Sequence, residues 1–454
     1  GLGGSSNING LLYVRGQHAD YDTWSNLGAI GWGWSDVAPY FRRSENYAGG
    51  GDALRGDSGG LRGEEVSHRD PTNDAGLGAF RDLGVPTARD YNGADQYGAF
   101  YYQTTVHQGK RCSAADAFLR PAMARPNLRV ITGAHCRRVL FDGRRATGIE
   151  IETARGVETI EAAREVLLAA GAYHSPKLLM LSGIGPAAHL QAMGIAVLQD
   201  SPEVGANLQD HYILTMSWRL RPGFYSYNRE LVGGRLLWNV LRYAATRKGP
   251  MTIPAAQTGA FVKSDPALER PDIQFHCLPV TGDLDAVVDG GKATLSPFPG
   301  LTLGPNVLRP ESRGRLLLSS PDSQAVPDIV HNYLDAEADR RLSLRAMRMA
   351  RDLVSTPSLS ALVEAATWPG KECLSDDELL AYARQFGNTA YHPVGTCRMG
   401  IDGSAVLDPD LRVKGVSGLR VVDASVMPRL VSGNTNAPAI MIGEKAADLV
   451  MGRS

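Results

Sequence analysis

Short apolar runs separated by turn-forming residues dominate the chain, and this pattern predicts a layered α/β protein. Residues 127–153 hold two such runs on either side of Asp142 and Gly143. Asp-Gly between apolar runs predicts a tight hairpin, because both residues tolerate a positive φ. We expect the apolar residues of 128–131 to extend these strands toward the N-terminal side.

A strand, a turn and a helix are predicted in that order over residues 165–182. Residues 165–171 form a short apolar run of buried-strand length. The helix should begin at Ser175, because Pro176 then takes the first helical position, where a proline loses no needed N–H donor. This order is typical of an α/β nucleotide-binding layer.

The middle of the chain has a different sequence pattern, and this pattern predicts a second, α+β layer. Between about residues 218 and 380, prolines separate short β-like pieces such as 272–276, and a polar-faced helix is expected at 335–355. The α/β pattern then returns, with a strand at 419–423 and a helix at 434–451. The core-facing residues expected in that last helix are Ala437, Ile440, Met441, Ala447 and Val450. The order indicates two interleaved layers rather than two consecutive domains.

Composition excludes several classes of function. The length of 454 residues suggests two or three domains. The 47 Lys+Arg and 48 Asp+Glu residues give a net charge of −1. A nucleic-acid binder needs an excess of basic residues, so this class of function is not indicated. There is no apolar run of about 18 residues, so no membrane span is predicted. The five cysteines are scattered without a CxxC pair. We therefore predict no disulfide framework and no metal site, and a reducing compartment such as the cytoplasm.

Three separated motifs point to one family. The first is residues 2–9 (LGGSSNIN), the second is 171–176 (GAYHSP) with 182–185 (SGIG), and the third is 391–396 (YHPVGT) with 421–425 (VVDAS) and 432–438 (SGNTNAP). Together they resemble the glucose–methanol–choline (GMC) family of FAD-dependent oxidoreductases, in its choline dehydrogenase-like alcohol dehydrogenase branch. The resemblance runs from end to end of the chain.

The resemblance implies a fold in which a FAD-binding α/β layer is interleaved with an α+β substrate-binding domain. The implied FAD-binding parts are 1–28, 127–215 and 385–454, with a cap insertion at 29–126 and the substrate-binding domain at 216–384. The family begins with a βαβ unit whose GxGxxG turn holds the FAD pyrophosphate, and this chain starts inside the first motif. We therefore expect that unit to be absent from this chain and to be supplied by a missing segment or a separate N-terminal fragment.

The resemblance also assigns cofactor contacts. The implied FAD-binding residues are Gly4, Ser5, Asn9, Gly10, Leu12, Cys136, Asp423, Ala424, Thr435 and Asn436. Some family members attach FAD covalently through a histidine immediately before the motif asparagine. Ile8 occupies that position and cannot form the bond, so non-covalent FAD is expected.

His392 and Asn434 are the expected catalytic pair. Imidazole suits the removal of an alcohol proton, because its pKa lies near neutrality. In the family context, His392 is the general base and Asn434 hydrogen-bonds the substrate oxygen. Asn434 or Asn436 could also simply cap the helix that follows. The other motif histidines, His174 and His211, are interpreted as structural.

The predicted reaction is oxidation of a primary alcohol to an aldehyde, with hydride transfer to flavin N5 and reoxidation by O₂ or a quinone-type acceptor. The alternatives are a FAD-containing lyase on the same fold and an inactive fragment that lacks the dinucleotide turn. A hydrolase is not indicated, because neither GxSxG nor HExxH occurs. Choline-oxidising relatives carry an acidic residue near the position of Gln257, so this neutral side chain favours a neutral alcohol over choline.

Overall fold

A computed structural model gives the fold and describes residues 1–283 and 294–453. Its helices of eight or more residues are α1 (His18–Asn26), α2 (Trp34–Ser44), α3 (Pro71–Asp82), α4 (Gly171–Leu181), α5 (Gly233–Thr246), α6 (Glu337–Ser355), α7 (Asp376–Phe386) and α8 (Asn436–Met451). Shorter helical turns lie at Gly4–Asn7, Ala115–Leu119, Arg120–Ala122, Ala187–Ala192, Tyr227–Glu230, Pro250–Thr252, Pro357–Ser360 and Ala424–Val426. Within the described ranges, no helix combines the length and the apolar character that crossing a bilayer requires.

The strands are short, as the punctuated apolar runs predict. In chain order they are β1 (Glu45–Tyr47), β2 (Leu61–Glu65), β3 (Gly98–Tyr101), β4 (Gln103–Thr104), β5 (Val106–His107), β6 (Lys110–Arg111), β7 (His135–Asp142), β8 (Arg145–Thr153), β9 (Gly156–Glu161), β10 (Val166–Leu168), β11 (Ile184–Gly185), β12 (Gln199–Asp200), β13 (Tyr212–Ile213), β14 (Met216–Leu220), β15 (Thr258–Val262), β16 (Ile273–Leu278), β17 (Gly300–Val307), β18 (Arg315–Leu317), β19 (Asp328–Val330), β20 (Val363–Trp368), β21 (Asn388–Thr389) and β22 (Leu419–Val421).

The largest sheet belongs to the middle of the chain. Its order is β20-β14-β17-β16-β15-β3, with β13 pairing both β17 and β21, and every pairing is antiparallel. Its central strands are buried, and α6 packs against β17 over a core that includes Phe275, Leu303 and Met347. The α+β layer predicted here is confirmed, and so are its helix and its strand near 272–276.

The other layer is built around a parallel pair, β10 and β22, in which Val166 lies opposite Leu419. The two strands are more than 200 residues apart in sequence, so the chain leaves this layer and returns to it, as the interleaved pattern predicts. The antiparallel strands β7, β8 and β9 form a separate three-stranded sheet. The hairpin predicted at Asp142-Gly143 is confirmed, with Asp142 opposite Arg145. The exact domain boundaries stay a prediction.

Two local predictions in this layer are wrong. The apolar residues at 128–131 lie outside any strand and are exposed, because β7 begins only at His135. Helix α4 begins at Gly171, one turn before the expected start, so Pro176 lies inside the helix. Ser175 does not cap the helix but donates its hydroxyl proton to Asp423. A side-chain partner distant in sequence thus sets where this helix begins.

The buried face of α8 was only partly predicted. Ala437 and Met441 are buried and Ile440 is half-buried, as expected, whereas Ala447 and Val450 are exposed. The core contacts of the last two turns come instead from Ile442, Ala446 and Leu449. All of these residues are apolar, so the sequence pattern alone did not distinguish the two neighbouring stripes of the helix.

Candidate active site

A tightly held turn presents His392. The preceding residue, Tyr391, has a φ of +60°, a conformation that non-glycine residues seldom adopt. The main-chain N–H of His392 donates to Asp210 Oδ1 at 2.8 Å, and Asp210 Oδ2 accepts from Tyr333 and Thr389 hydroxyls, each at 2.5 Å. The buried carboxylate of Asp210 therefore fixes the backbone on both sides of the strained residue.

The segment that supplies Asp210 runs beside the His392 segment. Gln209 and Val394 exchange both of their main-chain hydrogen bonds, and Ala390 N–H donates to the carbonyl of His211 at 2.9 Å. The GANLQDH motif at 205–211 thus acts as the partner strand of the His392 segment. It positions the histidine by backbone pairing as well as by the Asp210 side chain.

His392 and Asn434 meet side chain to side chain. His392 Nε2 lies 3.0 Å from Asn434 Nδ2, although 41 residues separate the two in sequence. His392 is buried, whereas Asn434 is half-buried. An amide nitrogen can only donate, so Nε2 of His392 must be the unprotonated acceptor in this contact.

A second contact fixes the same protonation of His392 from the opposite side of the ring. His392 Nδ1 lies 2.9 Å from His211 Nδ1, and His211 Nε2 lies 2.9 Å from the main-chain carbonyl of Leu308. A carbonyl can only accept, so His211 carries its proton on Nε2 and offers a lone pair on Nδ1. His392 must then donate from Nδ1, which leaves the lone pair on Nε2. His211, which we interpreted as structural from the sequence, thus has a ring in direct contact with the candidate base.

A parallel chain of hydrogen bonds orients Asn434. Tyr102 hydroxyl donates to the Phe275 carbonyl at 3.1 Å and accepts from Gln274 Nε2 at 2.9 Å. Gln274 Nε2 also donates to Asn434 Oδ1 at 3.1 Å. Because Asn434 Oδ1 is engaged as an acceptor, the donor end of its amide faces His392. Each of the two series of hydrogen bonds begins at a main-chain carbonyl, which can only accept. One series determines the lone pair on His392 Nε2, and the other determines the donor position of Asn434 Nδ2.

Burial keeps the histidines of the site neutral. Burial, together with the nearby His211 and His276, holds the pKa of His392 well below its ordinary value of 6.5. Burial also lowers the pKa of His211 to about 4 and the pKa of His276 to about 4. Neutral imidazole is the form that can accept a proton, and it is the form that His392 holds at neutral pH.

Unpaired polar atoms lie beside the pair. Gln274 and Asn306 are directly opposite each other on β16 and β17, so their side chains share one face of the sheet. Both residues are buried, and Gln274 Oε1 and both amide atoms of Asn306 have no hydrogen-bond partner among the described residues. Buried polar groups are almost always paired, so these atoms point to a polar ligand or water at this position.

The segment that follows the N-terminal glycine loop lies against the segment that carries Asn434. A Cβ added to Gly433 would come within 2.4 Å of Val14, and Gln96 donates to the carbonyl of Ser432. Leu12 is buried in the same small core as Val14. Gly10 packs closely on Ala255. Val14 therefore packs directly on the candidate catalytic segment, and Leu12 belongs to the same core as Val14.

The remaining predicted cofactor residues lie in four places. Asn9 Oδ1 accepts from Arg111 at 2.6 Å, and Thr435 and Asn436 form the start of α8 beside Asn434. Asp423 Oδ2 accepts from the N–H of Gly171 at 2.9 Å, and Ala424 follows it in a short turn. Cys136 lies on β7 opposite Ile151, and no hydrogen bond joins it to the other predicted residues.

These residues fit a flat, partly anionic group such as a flavin. Gly4 has a φ of +57°, and a Cβ built there would meet no atom within 4 Å, so the backbone at this point is open to a ligand. Ser5 is exposed. Helix α8 starts without a side-chain cap, which leaves its first N–H groups and the positive end of its dipole available to an acceptor. The expectation that Asn434 or Asn436 caps this helix is wrong, because Thr435 holds that position.

Gln257, the residue considered for substrate choice, is fully used inside the protein. Its Oε1 accepts from Asn73 at 2.8 Å and from the Tyr227 hydroxyl at 2.7 Å, and its Nε2 donates to the His68 carbonyl at 2.6 Å. A carboxylate here would place a lone pair against that carbonyl. An amide is therefore the group that this position accommodates.

Comparison with known proteins identifies the family. Family models described as GMC oxidoreductase match residues 1–213 and 310–443. An oxygen-dependent choline dehydrogenase of Brucella canis is 41% identical over 455 residues, a match that covers 100% of this chain and 81% of that protein. The chain belongs to the GMC oxidoreductase family. A second oxygen-dependent choline dehydrogenase, from Rhizobium etli, is 40% identical over 465 residues with the same shares covered.

Solved structures agree with this assignment. Pyridoxine 4-oxidase from Mesorbium loti superposes with a TM-score of 0.87 at 29% identity, covering 99% of this chain and 84% of that one. Formate oxidase from Aspergillus oryzae superposes with a TM-score of 0.90 at 28% identity and the same coverage. The GMC fold with mixed α/β content is therefore established for this chain.

The family settles the class of chemistry. The protein is a FAD-dependent oxidoreductase that acts on CH–OH donors. The match to the family begins at residue 1, and the comparisons do not support the expected absence of the N-terminal βαβ unit or a separate N-terminal fragment.

Sequence reasoning missed His211, Gln274, Tyr102 and Asn306. His211 carried a usable signal, since it directly follows Asp210 in the GANLQDH segment at 205–211. Gln274 and Asn306 carried a weaker one, as polar residues inside apolar strands that turn out to be fully buried. Tyr102 gave no signal, because its role depends on a hydrogen bond to Gln274, 172 residues further along the chain.

Proposed function

We propose that this GMC oxidoreductase oxidises a primary alcohol to an aldehyde, with His392 as the general base and Asn434 as the hydrogen-bond donor to the substrate oxygen. The observation that carries the proposal is the 3.0 Å contact between an acceptor nitrogen of His392 and a donor nitrogen of Asn434. Bound FAD supplies the hydride acceptor. The chain supplies the groups that bind the hydroxyl and hold its proton.

One hydroxyl group fits both nitrogens. Two atoms 3.0 Å apart share positions about 2.8 Å from each, which is the ordinary length of a hydrogen bond. The alcohol O–H can donate to His392 Nε2 while its oxygen accepts from Asn434 Nδ2. As the proton passes to Nε2, the negative charge that develops on oxygen strengthens the bond from Asn434.

The two hydrogen-bond chains support this division of roles. When His392 takes up the substrate proton, its ring becomes a cation, and His211 Nδ1 remains its acceptor at the opposite nitrogen. Gln274 keeps Asn434 from turning its oxygen toward the alkoxide, where it would repel. Both supports act before substrate arrives, so little reorganisation is needed during the reaction.

Anaerobic reduction of the bound flavin by a primary alcohol tests the proposal. His392→Ala should slow reduction by about 10²–10⁴-fold, and the loss should shrink at higher pH, where solvent hydroxide replaces part of the missing base. Asn434→Ala should slow it at every pH, and the two losses should be less than additive because both groups act on one oxygen. His107→Ala, a half-buried histidine outside these contacts, is the control. Reduction by His392→Ala at the parent rate across the pH range would contradict the proposed base.

Non-covalent FAD is part of the proposal. Ile8 is 86% exposed and has no group that could bond to a flavin carbon. Acid precipitation of the holoenzyme should therefore release all of the yellow colour into the supernatant. Flavin that stays on the precipitated chain would show covalent attachment at another residue, while leaving the catalytic pair untouched.

A second candidate substrate class is a quaternary-ammonium alcohol. The curated relatives at 40–41% identity are choline dehydrogenases, which favours this class. The neutral and fully engaged Gln257 favours a neutral alcohol instead. FAD-dependent aldehyde formation is common to both candidates, and the lyase alternative would show no flavin reduction by either alcohol.

A further inference from the structure

Helix α5 exposes its apolar side to solvent. Leu237 is 61% exposed, Trp238 is 66% exposed and Leu241 is 55% exposed. On the side that faces the protein, Asn239 is buried and donates to the carbonyl of Glu230 at 3.0 Å, and Leu236 and Tyr243 are half-buried. An ordinary surface helix turns its large apolar residues toward the core, whereas here Leu237, Trp238 and Leu241 face solvent. No described element covers the exposed stripe.

The exposed residues form one continuous surface. At about 100° per residue, Leu237, Leu241, Ala245 and Trp238 lie within about a third of the helix circumference. Val232 before the helix and Met251 after it are exposed as well. We call the stripe formed by Leu237, Trp238, Leu241 and Ala245 the α5 face, and at 1.5 Å per residue it is about 12 Å long.

Positive charge surrounds the α5 face. Residues 229–248 contain five exposed basic residues, Arg229, Arg235, Arg242, Arg247 and Lys248, and a single acidic one, Glu230. Glu230 is already paired with Arg235 at 3.0 Å. The segment therefore has a net charge of 5 − 1 = +4, in a chain whose total is −1. Arg235 and Arg242 border the apolar stripe next to Trp238, where their charged ends can reach past it.

We propose that the α5 face binds the surface of an anionic lipid membrane, with the helix lying in the plane of the interface. An exposed apolar stripe with Trp and Leu, bordered by Arg and Lys, is the pattern that inserts between lipid headgroups. The cations match anionic headgroups at the same surface. A second copy of this chain is a poorer occupant, because a symmetric contact would bring two segments of charge +4 together.

Flotation with lipid vesicles tests the proposal on the holoenzyme. The parent should float with phosphatidylcholine vesicles that contain about one-third phosphatidylserine, should float poorly with phosphatidylcholine alone, and should be released by salt. The triple variant L237Q/W238Q/L241Q should bind at least about tenfold more weakly. Leu374→Gln is the matched control, since Leu374 is 67% exposed and lies far along the chain from α5, and it should float like the parent.

Two further measurements keep the test decisive. The pair R242Q/K248Q removes charge but leaves the apolar stripe, and it should weaken binding to the anionic vesicles even if the triple variant folds poorly. Thermal unfolding and flavin absorbance report whether each variant folds. The proposal is wrong if the parent does not float, if both variants float like the parent, or if light scattering shows a dimer that the triple variant converts to a monomer without any lipid binding.

Discussion

His211 Nδ1 lies 2.9 Å from His392 Nδ1, and this contact determines which nitrogen of His392 is free. Two imidazole nitrogens in contact cannot both donate or both accept, so one ring sets the tautomer of the other. The Leu308 carbonyl resolves the choice by requiring a proton on His211 Nε2. The proposed base is thereby prepared by a residue that need not touch the substrate.

Removing the His211 acceptor should slow proton removal without affecting the binding of the alcohol. In His211→Leu the His392 ring loses the bond that selects its tautomer and its orientation, and flavin reduction should slow by about tenfold or more, the worth of one hydrogen bond to a ring that becomes charged. His211→Asn keeps an acceptor near Nδ1 and should retain most of the rate.

Two measurements separate this role from general damage. The alcohol Kd, from the dependence of the reduction rate on alcohol concentration, should be unchanged in both variants. Nitrogen NMR of the imidazoles should show protonation at Nδ1 of His392 in the parent and a mixture in His211→Leu. An equal loss of rate in the Leu and Asn variants, with an unchanged tautomer, would contradict the prediction.

Gln274 should act through the orientation of Asn434. Gln274→Glu places an acceptor against Asn434 Oδ1, so the Asn434 amide should turn its donor away from His392, and flavin reduction should fall by about 10–10²-fold. Gln274→Met only removes the orienting bond and should cost less. Tyr102→Phe, which frees the Gln274 amide to rotate, should resemble the Met variant. The order of the three rates, measured by anaerobic stopped flow, checks the chain of contacts, and a Glu variant as fast as the Met variant would break it.

Choline and 3,3-dimethylbutan-1-ol have the same shape, because a carbon replaces the charged nitrogen, and they differ only in charge. If the engaged Gln257 leaves the site without a carboxylate partner, the neutral alcohol should be oxidised with the higher kcat/KM. An ion pair or a cation–π contact should favour choline by about tenfold or more. A preference for choline would assign this enzyme to the substrate class of its curated relatives. The ratio is independent of which acceptor reoxidises the flavin.

The free energy of unfolding should begin to fall as the pH drops below 6.5, before most carboxylates take up protons. In the folded protein, burial lowers the pKa of His211 to about 4 and the pKa of His276 to about 4, against an ordinary value of 6.5. The unfolded chain therefore binds protons more readily than the folded protein does. The contribution of the two neutral histidines to the free energy of unfolding is complete above pH 6.5 and is lost as the pH falls toward 4. The loss is about 3 kcal/mol for each histidine at pH 4.

Urea unfolding between pH 7 and 4.5 measures this slope. His276→Gln should flatten it, because the buried titrating group is gone and an amide can still donate toward the Gly304 carbonyl. Asp210 contributes a slope of the opposite sign, since burial raises the pKa of its carboxyl. A variant with the same slope as the parent would mean that His276 is accessible to protons in the folded state.

The sequence by itself determined most of the elements, the order of the layers and the two residues that we propose as the catalytic pair. The pattern of apolar and polar positions and the placement of turn residues are local properties of the sequence. Neighbouring residues were therefore enough to predict the hairpin at Asp142-Gly143, the strands β10 and β22 and the helix α6. His392 and Asn434 were found because motifs preserve residue types in a fixed order. The start of α4 was misplaced because it depends on Asp423, 248 residues beyond Ser175.

Only the tertiary structure decided the protonation of the site. Which nitrogen of His392 is free depends on His211 and Leu308, and which end of the Asn434 amide faces it depends on Gln274, Tyr102 and Phe275. These residues come from separate strands and loops, and no spacing in the sequence records that their side chains touch. The physical reason is that a hydrogen bond is specified by the positions of two atoms, and long-range packing alone sets those positions.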